Sequence, residues 1–318
     1  MKFDVTVIVV TYNSAPYIER CLSSIITERQ RITQNIVVVD NASIDNTANL
    51  IQDRFPQVNL ILQSENTGFA AGVNRGAIFA NSDFILLLNP DTQVLNHSID
   101  RIVEFARTHP ENGVYGGRTL TNEGNLEPSS CWDQPTLWST FLFAFGVSTI
   151  LSGNRWLDPE SIGDWNRESI REVGMITGCF LLCTSSIWNR LNGLNERYFM
   201  YGEDVDFSLR ARALGCRPII CPDAILIHNV GKSSANSVEK SLLLYQGKSS
   251  LIIEHWAGYK RFLGLKLLLI GIGLRALIES VGFQLSQNPK DPRWKKLWNR
   301  RSNWICGYYS KDQSLLDQ

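Results

Sequence analysis

An excess of charge of either sign is missing from this chain: 31 lysines and arginines balance 31 aspartates and glutamates over 318 residues. A neutral chain builds no long-range field to gather nucleic acid, so nucleic acid is not an expected partner and any charged ligand must be met locally. Among the seven cysteines there is no CxxC pair and no zinc-like ligand spacing, and an odd, scattered set is a poor disulfide framework. A reducing compartment is expected. The opening stretch MKFDVTVIVV enters a strand pattern without the longer apolar run and small-residue cleavage site of a secretion signal, which points to the cytoplasm. The first strand-to-helix turn, VTYNSAPY, contains no glycine, although a dinucleotide fingerprint would place its glycines there. A nicotinamide or flavin enzyme is therefore disfavoured. With 44% hydrophobic residues the chain is not disordered; it suffices for one large unit, or a core domain with an appendage.

What is present is an alternation of strand-like and helix-like segments. VTVIVVTYN (5–13) is rich in β-branched residues, and Ser14 with Pro16 marks the start of a helix whose Ile18, Leu22 and Ile25 recur at helical spacing. NIVVVDN (35–41) is a second continuous apolar strand, followed by Ser43 or Asp45 as a cap and a helix carrying Leu50 and Ile51. NLILQSE (59–65) with the segment 69–80 makes a third unit, and FILLLNPD (84–91) supplies a fourth strand. Strands that are apolar throughout are covered on both faces, so the expected fold is α/β, a mostly parallel Rossmann-like sheet flanked by helices.

Open α/β sheets bind ligands beyond the carboxyl ends of their strands. Polar residues collect there: Thr11, Tyr12 and Asn13 after the first strand, Asp40 and Asn41 after the second, Asn66 and Gly68 after the third, Asn89 and Asp91 after the fourth. Any one of these is equally a turn or cap residue. Four successive strands ending this way weaken that reading. Gly72 and Gly76 lie four apart on one helix face, where close packing explains them as well as ligand contact does.

VIVVTYNS, VVVDNASIDNT, NTGFAAGVNRG, LLLNPD, TGCFLL and FMYGEDVDFSLRARALG occur together in an order and spacing that resembles glycosyltransferase family 2, inverting enzymes of GT-A fold, across residues 5 to about 230. Within it the chain is most similar to the rhamnosyltransferase-like branch of bacterial surface-polysaccharide synthesis. The resemblance implies transfer of a sugar, rhamnose among the candidates, from a nucleoside diphosphate donor to a hydroxyl of a glycan or lipid-linked acceptor. It implies Asp204 as general base with Glu203 beside the acceptor. The donor site it implies takes in Thr11, Tyr12, Asn13, Asp40, Asn41, Asn66, Gly68, Asn74, Asn89 and Gly178. A carboxylate at Asp40 suits the imide hydrogen of a pyrimidine, hence a UDP- or dTDP-sugar.

Asn89-Pro90-Asp91 stands where the family carries a DxD motif, so Asp91 is the implied ligand of a divalent cation, Mg2+ or Mn2+, and His228 completes the site. The first carboxylate of the motif is an amide here, which removes one charge from the cation's surroundings. A lone histidine at a strand end is also commonly a structural hydrogen-bonder. Lys232 either reaches the diphosphate or sits in a solvated loop. Three acids in one helical turn exceed what capping needs; Asp206 can instead pair with Arg210 one turn on, while Val205, Leu209 and Ala213 mark the apolar repeat. Cys179 reads as packing.

These considerations divide the chain into a GT-A domain over 1–235, with a nucleotide half 1–120 and an acceptor half 121–235, and a helical region over 236–318. The aromatic stretch 125–170 fits a flap or acceptor groove, and equally a helical insertion. RFLGLKLLLIGIGLRALIESVGF (261–283) holds Lys266, Arg275 and Glu279, too many charges for an easy membrane span. The basic segment after it carries Trp294, Trp298 and Trp304, a pairing suited to a headgroup interface. The expectation is a monotopic anchor on the inner face of the plasma membrane. Two other classes compete: a nucleotidyltransferase, for which the first turn lacks the glycine- and basic-rich loop, and a catalytically weak or silent subunit that scaffolds polysaccharide assembly.

Overall fold

A computed structural model of the chain describes residues 2–28, 31–228, 237–285 and 292–308. Its N-terminal half is a parallel block because the strands there are apolar on both faces. β1 (Phe3–Thr11), β2 (Gln34–Asp40), β3 (Asn59–Leu62) and β4 (Ser82–Leu88) are linked by helices α1 (Ala15–Thr27), α2 (Thr47–Arg54) and α3 (Phe69–Ala77). β1 pairs in parallel with β2 and β4, and β2 with β3. In β1, Val7 and Val9 on one face and Ile8 on the other are all buried, as coverage on both sides requires.

The helices seat as their patterns predict. α1 has Pro16 in its first turn and buries Ile18, Leu22 and Ile25. α3 lies so close to the sheet that a Cβ on Gly72 would come within 2.9 Å of Val10 Cγ1, and one on Gly76 within 2.8 Å of Ile8 Cγ2. Helix-to-sheet packing is thus sufficient reason for both glycines.

Beyond β4 the sheet becomes mixed. β5 (Thr92–Leu95), α4 (Ser98–Thr108), β6 (Val114–Leu120), β7 (Phe180–Thr184) and β8 (Ile219–His228) extend it. The order is β3-β2-β1-β4-β7-β6-β8-β5, with Arg171–Glu172 paired to β8, so that this sheet has nine strands among the described residues, beside a small two-stranded pairing of Cys131–Trp132 with Met175–Ile176. β7 runs antiparallel to both β4 and β6, while β8 is parallel to β6 and antiparallel to β5. The parallel pattern read from the sequence therefore describes the β3-β2-β1-β4 block, and the later strands change direction.

Two compact units are present: Met1–Gln134, Trp165–Glu196 and Glu203–Ser233 form the first, and Pro135–Asp164, Arg197–Gly202 and Ser234–Gln318 the second. The second unit is helical. Part of the aromatic stretch folds there as the helix Leu137–Ala144, opened by a Thr136–Ser139 capping box. With it go Ser237–His255, Gly258–Leu285, Arg293–Asn299 and Arg301–Ile305. Their shared core contains Tyr245, Leu268, Ile272, Leu297 and Trp304.

That core corrects the expectation of a tryptophan-lined headgroup interface. Trp304 is fully buried, its Nε1 donating to Leu297 O at 3.0 Å, and Trp294 and Trp298 pack against the same cluster. Tryptophan spends its large apolar surface on this small helical core instead of on a lipid boundary. Among the described residues no helix is long and apolar enough to cross a membrane.

Candidate active site

The register of β1 against β2 places Thr11 opposite Asp40. Thr11 Oγ1 donates to Asp40 Oδ1 at 2.8 Å, both side chains being buried, and Asp40 also accepts from Ser43 N at 2.9 Å and Ser43 Oγ at 2.5 Å. A carboxylate offers about four lone-pair positions, so these donors fix Asp40 and leave room for one more. Asn13, at a φ of 51°, accepts from Ile44 N at 2.9 Å, and its own N–H donates to Ser43 Oγ. Tyr12 between them is 49% exposed, a ring presented to solvent beside a buried carboxylate.

The loop into α3 is organised by amides. Asn41 Nδ2 donates to Gly68 O at 2.8 Å and Asn66 Oδ1 accepts from Gly68 N at 3.0 Å. Gly68 sits at φ 89°, a conformation that side chains resist. Asn74 departs from its expected role. Its Nδ2 donates to Leu194 O at 2.8 Å and Glu196 Oε1 at 2.9 Å, and its Oδ1 accepts from Leu194 N at 2.9 Å. The amide is consumed in holding the 194–196 loop on α3 and does not join the polar group at the strand ends.

Asn89-Pro90-Asp91 forms the turn from β4 into β5, closed by Thr92 Oγ1 donating to Asn89 O at 2.6 Å. Thr92 is paired with His228 across β5 and β8, and this register delivers the histidine to the neighbouring Asp91. His228 Nε2 lies 3.5 Å from Asp91 Oδ1, both side chains being buried. On the ring's other edge Nδ1 is 3.8 Å from Glu127 Oε2. Burial pulls the His228 pKa down, but Cys179, Asp91 and Glu127 outweigh it and hold the pKa well above histidine's ordinary range. Burial pushes Glu127 up, and His228 with Ser129 brings its pKa below the usual carboxylate value.

Sequence reasoning missed Glu127, since GNLEPSS reads as a turn. The residue does serve one, accepting from Ser129 N at 3.1 Å at the start of a single helical turn.

The donor set suits a hard divalent cation. Asp91 supplies carboxylate oxygen, His228 imidazole nitrogen, and the Asn89 side-chain amide has no hydrogen-bond partner among the described residues. Nδ1 of His228 is buried without a hydrogen-bond partner among the described residues, Glu127 standing opposite at ion-pair distance. Lys232 lies outside the described residues.

The acidic helix Glu203–Ala213 enters the same place through the 177–179 turn. Asp204 Oδ2 accepts from Gly178 N at 3.0 Å, and the next residue, Cys179, accepts from Asn89 N at 3.4 Å. One peptide turn thus ties the acid at Asp204 to the strand end that carries Asp91. Glycine at 178 lets the turn pass close to Phe69: a Cβ there would stand 3.0 Å from Phe69 Cε1, and the ring would have to give by a few tenths of an ångström. Cys179 is buried, its sulfur 3.1 Å from Thr177 Oγ1, consistent with packing.

Burial, then Asp204 and Asp206, push the Glu203 pKa far above its ordinary value, and Glu203 Oε2 is buried with no partner. Burial also raises Asp204, opposed by the Gly178 and Val205 N–H groups. Asp206 pairs with Arg210 as its spacing predicts, Oδ2 to Nε 2.7 Å, and Arg210 extends to Leu191 O and Gly193 O. The buried face of this helix is Val205, Phe207, Ser208 and Ala211, not the expected Val205-Leu209-Ala213 repeat. Phe207 packs on Trp188 and Ser208 Oγ accepts from Ile176 N, and Ala213 is left exposed at the helix end.

Residues 6–189, more than half of the chain, match the profile of Glycosyl transferase family 2. The chain is 29% identical over 261 residues to N-acetylglucosaminyl-diphospho-decaprenol L-rhamnosyltransferase of Mycobacterium tuberculosis, covering 77% of this chain and 82% of that one. It is 32% identical over 152 residues to rhamnosyltransferase WbbL of Escherichia coli, covering 47% and 53%. Among solved structures, a mannosyltransferase of Pyrobaculum calidifontis in complex with GDP-Man and Mn2+ superposes with a TM-score of 0.55 at 18% identity, over 96% of this chain and 86% of that one. TarS of S. aureus gives 0.53 at 16%, over 95% and 47%. At such identities the likeness establishes the GT-A fold alone. The profile match goes further, and with it the chain belongs to glycosyltransferase family 2.

Proposed function

We propose that this glycosyltransferase moves a sugar, with rhamnose the first candidate, from a pyrimidine nucleoside diphosphate to a hydroxyl of a lipid-linked glycan, with inversion at the anomeric carbon. The observation that supports the reading is the 177–179 turn, whose Gly178 N donates to Asp204 while Cys179 O accepts from Asn89 N, two residues before the Asp91 that faces His228. Asp204 takes the proton of the acceptor hydroxyl as its oxygen bonds to the anomeric carbon, and the bond to the diphosphate breaks on the opposite face. Glu203, whose buried Oε2 has no partner, orients the acceptor.

Asp91 and His228, with the Asn89 amide, would hold a divalent cation; when bound, it neutralises the charge developing on the leaving diphosphate. Asp40, fixed by Thr11 and Ser43, keeps one acceptor position for the imide hydrogen of uracil or thymine. The rhamnosyltransferase relatives and the donor chemistry at Asp40 support the choice of sugar and base. Attachment is to the inner face of the plasma membrane, through the exposed apolar side chains of the helix Gly258–Leu285.

Donor-dependent thermal stabilisation across dTDP-, UDP- and GDP-sugars tests the base and sugar. Release of nucleoside diphosphate that requires a lipid-linked glycan tests the transfer. Donor binding without acceptor-dependent release would instead favour a silent scaffolding subunit. Chelator should abolish release and added Mn2+ or Mg2+ restore it; full activity in excess chelator would remove the cation from the scheme.

A further inference from the structure

Glu127 is a buried carboxylate on the edge of the His228 ring opposite to Asp91. Its Oε2 is 3.8 Å from Nδ1, while Asp91 Oδ1 is 3.5 Å from Nε2. Its side chain is 13% exposed, so its charge is not dissipated in water. It is also anchored: Thr119 Oγ1 donates to the Glu127 carbonyl at 2.6 Å, and Ser129 N donates to the carboxylate at 3.1 Å. His228 Nδ1 is buried, and no hydrogen-bond partner reaches it among the described residues.

A neutral imidazole presents a lone pair on one nitrogen and a hydrogen on the other, and the surroundings decide which. A cation shared with Asp91 requires the lone pair on Nε2, and hence the hydrogen on Nδ1. With no acceptor on that side, nothing would favour the ligating tautomer over the other. A fixed negative charge facing Nδ1 favours it, and it restrains ring rotation about the end of β8. Ligand histidines in metal sites are commonly oriented by a carboxylate in this way.

We infer that Glu127 is the positioning carboxylate of His228, keeping the hydrogen on Nδ1 so that Nε2 faces the cation beside Asp91. The inference rests on the proposal that Asp91 and His228 take a divalent cation. It assigns Glu127 no contact with substrate.

The test uses the full chain freed of metal, with Mn2+ as the probe, binding read by calorimetry and the Mn2+–nitrogen coupling by pulsed electron paramagnetic resonance. Glu127→Gln keeps an oxygen for Ser129 N–H but removes the charge. It should weaken Mn2+ about 10–100-fold and diminish the nitrogen coupling, with the melting temperature little changed. His228→Ala should lose the coupling outright. Wild-type affinity and coupling in Glu127→Gln would overturn the inference and leave the residue a turn cap. A different failure belongs to the cation site itself: wild-type protein without nitrogen coupling, or Asp91→Asn and His228→Ala binding Mn2+ as wild type does, would overturn the site and the inference together. Should Glu127→Gln unfold, Glu127→Asp retains the charge but withdraws it by one methylene. A folded Glu127→Asp protein with unchanged affinity and coupling would count against the inference.

Discussion

Asp204 spends one carboxylate oxygen on Gly178 N and the other on Val205 N, whereas Glu203 Oε2 is buried with no partner and Asp206 is closed on Arg210. Adjacent acids thus carry different loads, and substitution should separate them. Asp204→Asn preserves shape and should keep donor binding while lowering turnover ~10²–10⁴-fold, measured at saturating donor. Asp206→Asn should cost about 1–3 kcal/mol in denaturant unfolding, because it takes the charge from the carboxylate that braces Arg210 while the guanidinium keeps Leu191 O and Gly193 O. Near-normal turnover in Asp204→Asn with collapse in Asp206→Asn would reverse the assignment.

Glu203 makes a pH prediction. Its pKa is raised in the folded state, by burial first and then by Asp204 and Asp206, so folding holds a proton that the unfolded chain releases near 4.5. Stability therefore falls as pH rises from that value through the folded pKa and stays reduced above it. Glu203→Gln carries no such cost. The variant should melt higher than wild type, by a margin that widens with pH above 4.5 and then levels off, while needing more acceptor for half-maximal rate. A margin that does not grow with pH would mean that Glu203 is not held protonated. At this scale the sequence revealed the acids, because three in one turn exceed capping, and it revealed the Asp206–Arg210 pair. It could not reveal that Asn74 is used up by a loop 120 residues away, nor that Glu127 faces the far edge of His228, since both depend on tertiary placement.

Continuous apolar strands and helically spaced Ile18, Leu22 and Ile25 made β1, β2, β4 and α1 readable, since burial on both faces leaves an unbroken pattern. β5 was not readable. Its four residues carry too short a signal, yet its pairing of Thr92 with His228 is what sets the histidine beside Asp91. The direction of β7 also escaped, because a buried run looks the same in either orientation. The acidic helix misled in another way: its buried face is chosen by Trp188 and the 176–178 segment, not by its own apolar repeat. Close packing of α3 gives the prediction at this scale. Gly76→Ala would bring a methyl within 2.8 Å of Ile8 Cγ2 and 3.2 Å of Val39 Cγ2, and should destabilise the protein by about 1–3 kcal/mol, read as a lower urea midpoint with unchanged slope. An unchanged midpoint would show that α3 can slide away from the sheet.

In the helical unit Trp294, Trp298 and Trp304 pack into the core, while a set of aliphatic side chains stays at the surface. On the long helix Gly258–Leu285, Leu268, Ile272 and Ala276 are buried, while Leu277 is 62% and Ile278 70% exposed. Tyr259, Leu263, Ile270, Leu274 and Val281 are exposed as well, and at 3.6 residues per turn they fall on one stripe. A helix face turned to water is ordinarily polar. Here the charges of the stripe gather at its N-terminal end, Lys260 and Lys266 with Arg261 beside them, and all three are exposed. Apolar surface bordered by cations matches an anionic lipid surface, in which the stripe enters the headgroup boundary and the cations meet phosphate. The prediction moves attachment from the basic tryptophan segment to this stripe. Full-length protein should float with vesicles containing anionic lipid. Moderate salt should release part of it, since screening weakens the lysine contribution but leaves the apolar one. Ile270→Ser, Leu274→Ser and Ile278→Ser combined should abolish flotation without lowering the melting temperature, because all three side chains already lie at the surface, whereas changing Trp304 should unfold the unit. Vesicle binding that survives the triple substitution, or wild-type protein that does not float, would place the acceptor encounter elsewhere on the molecule.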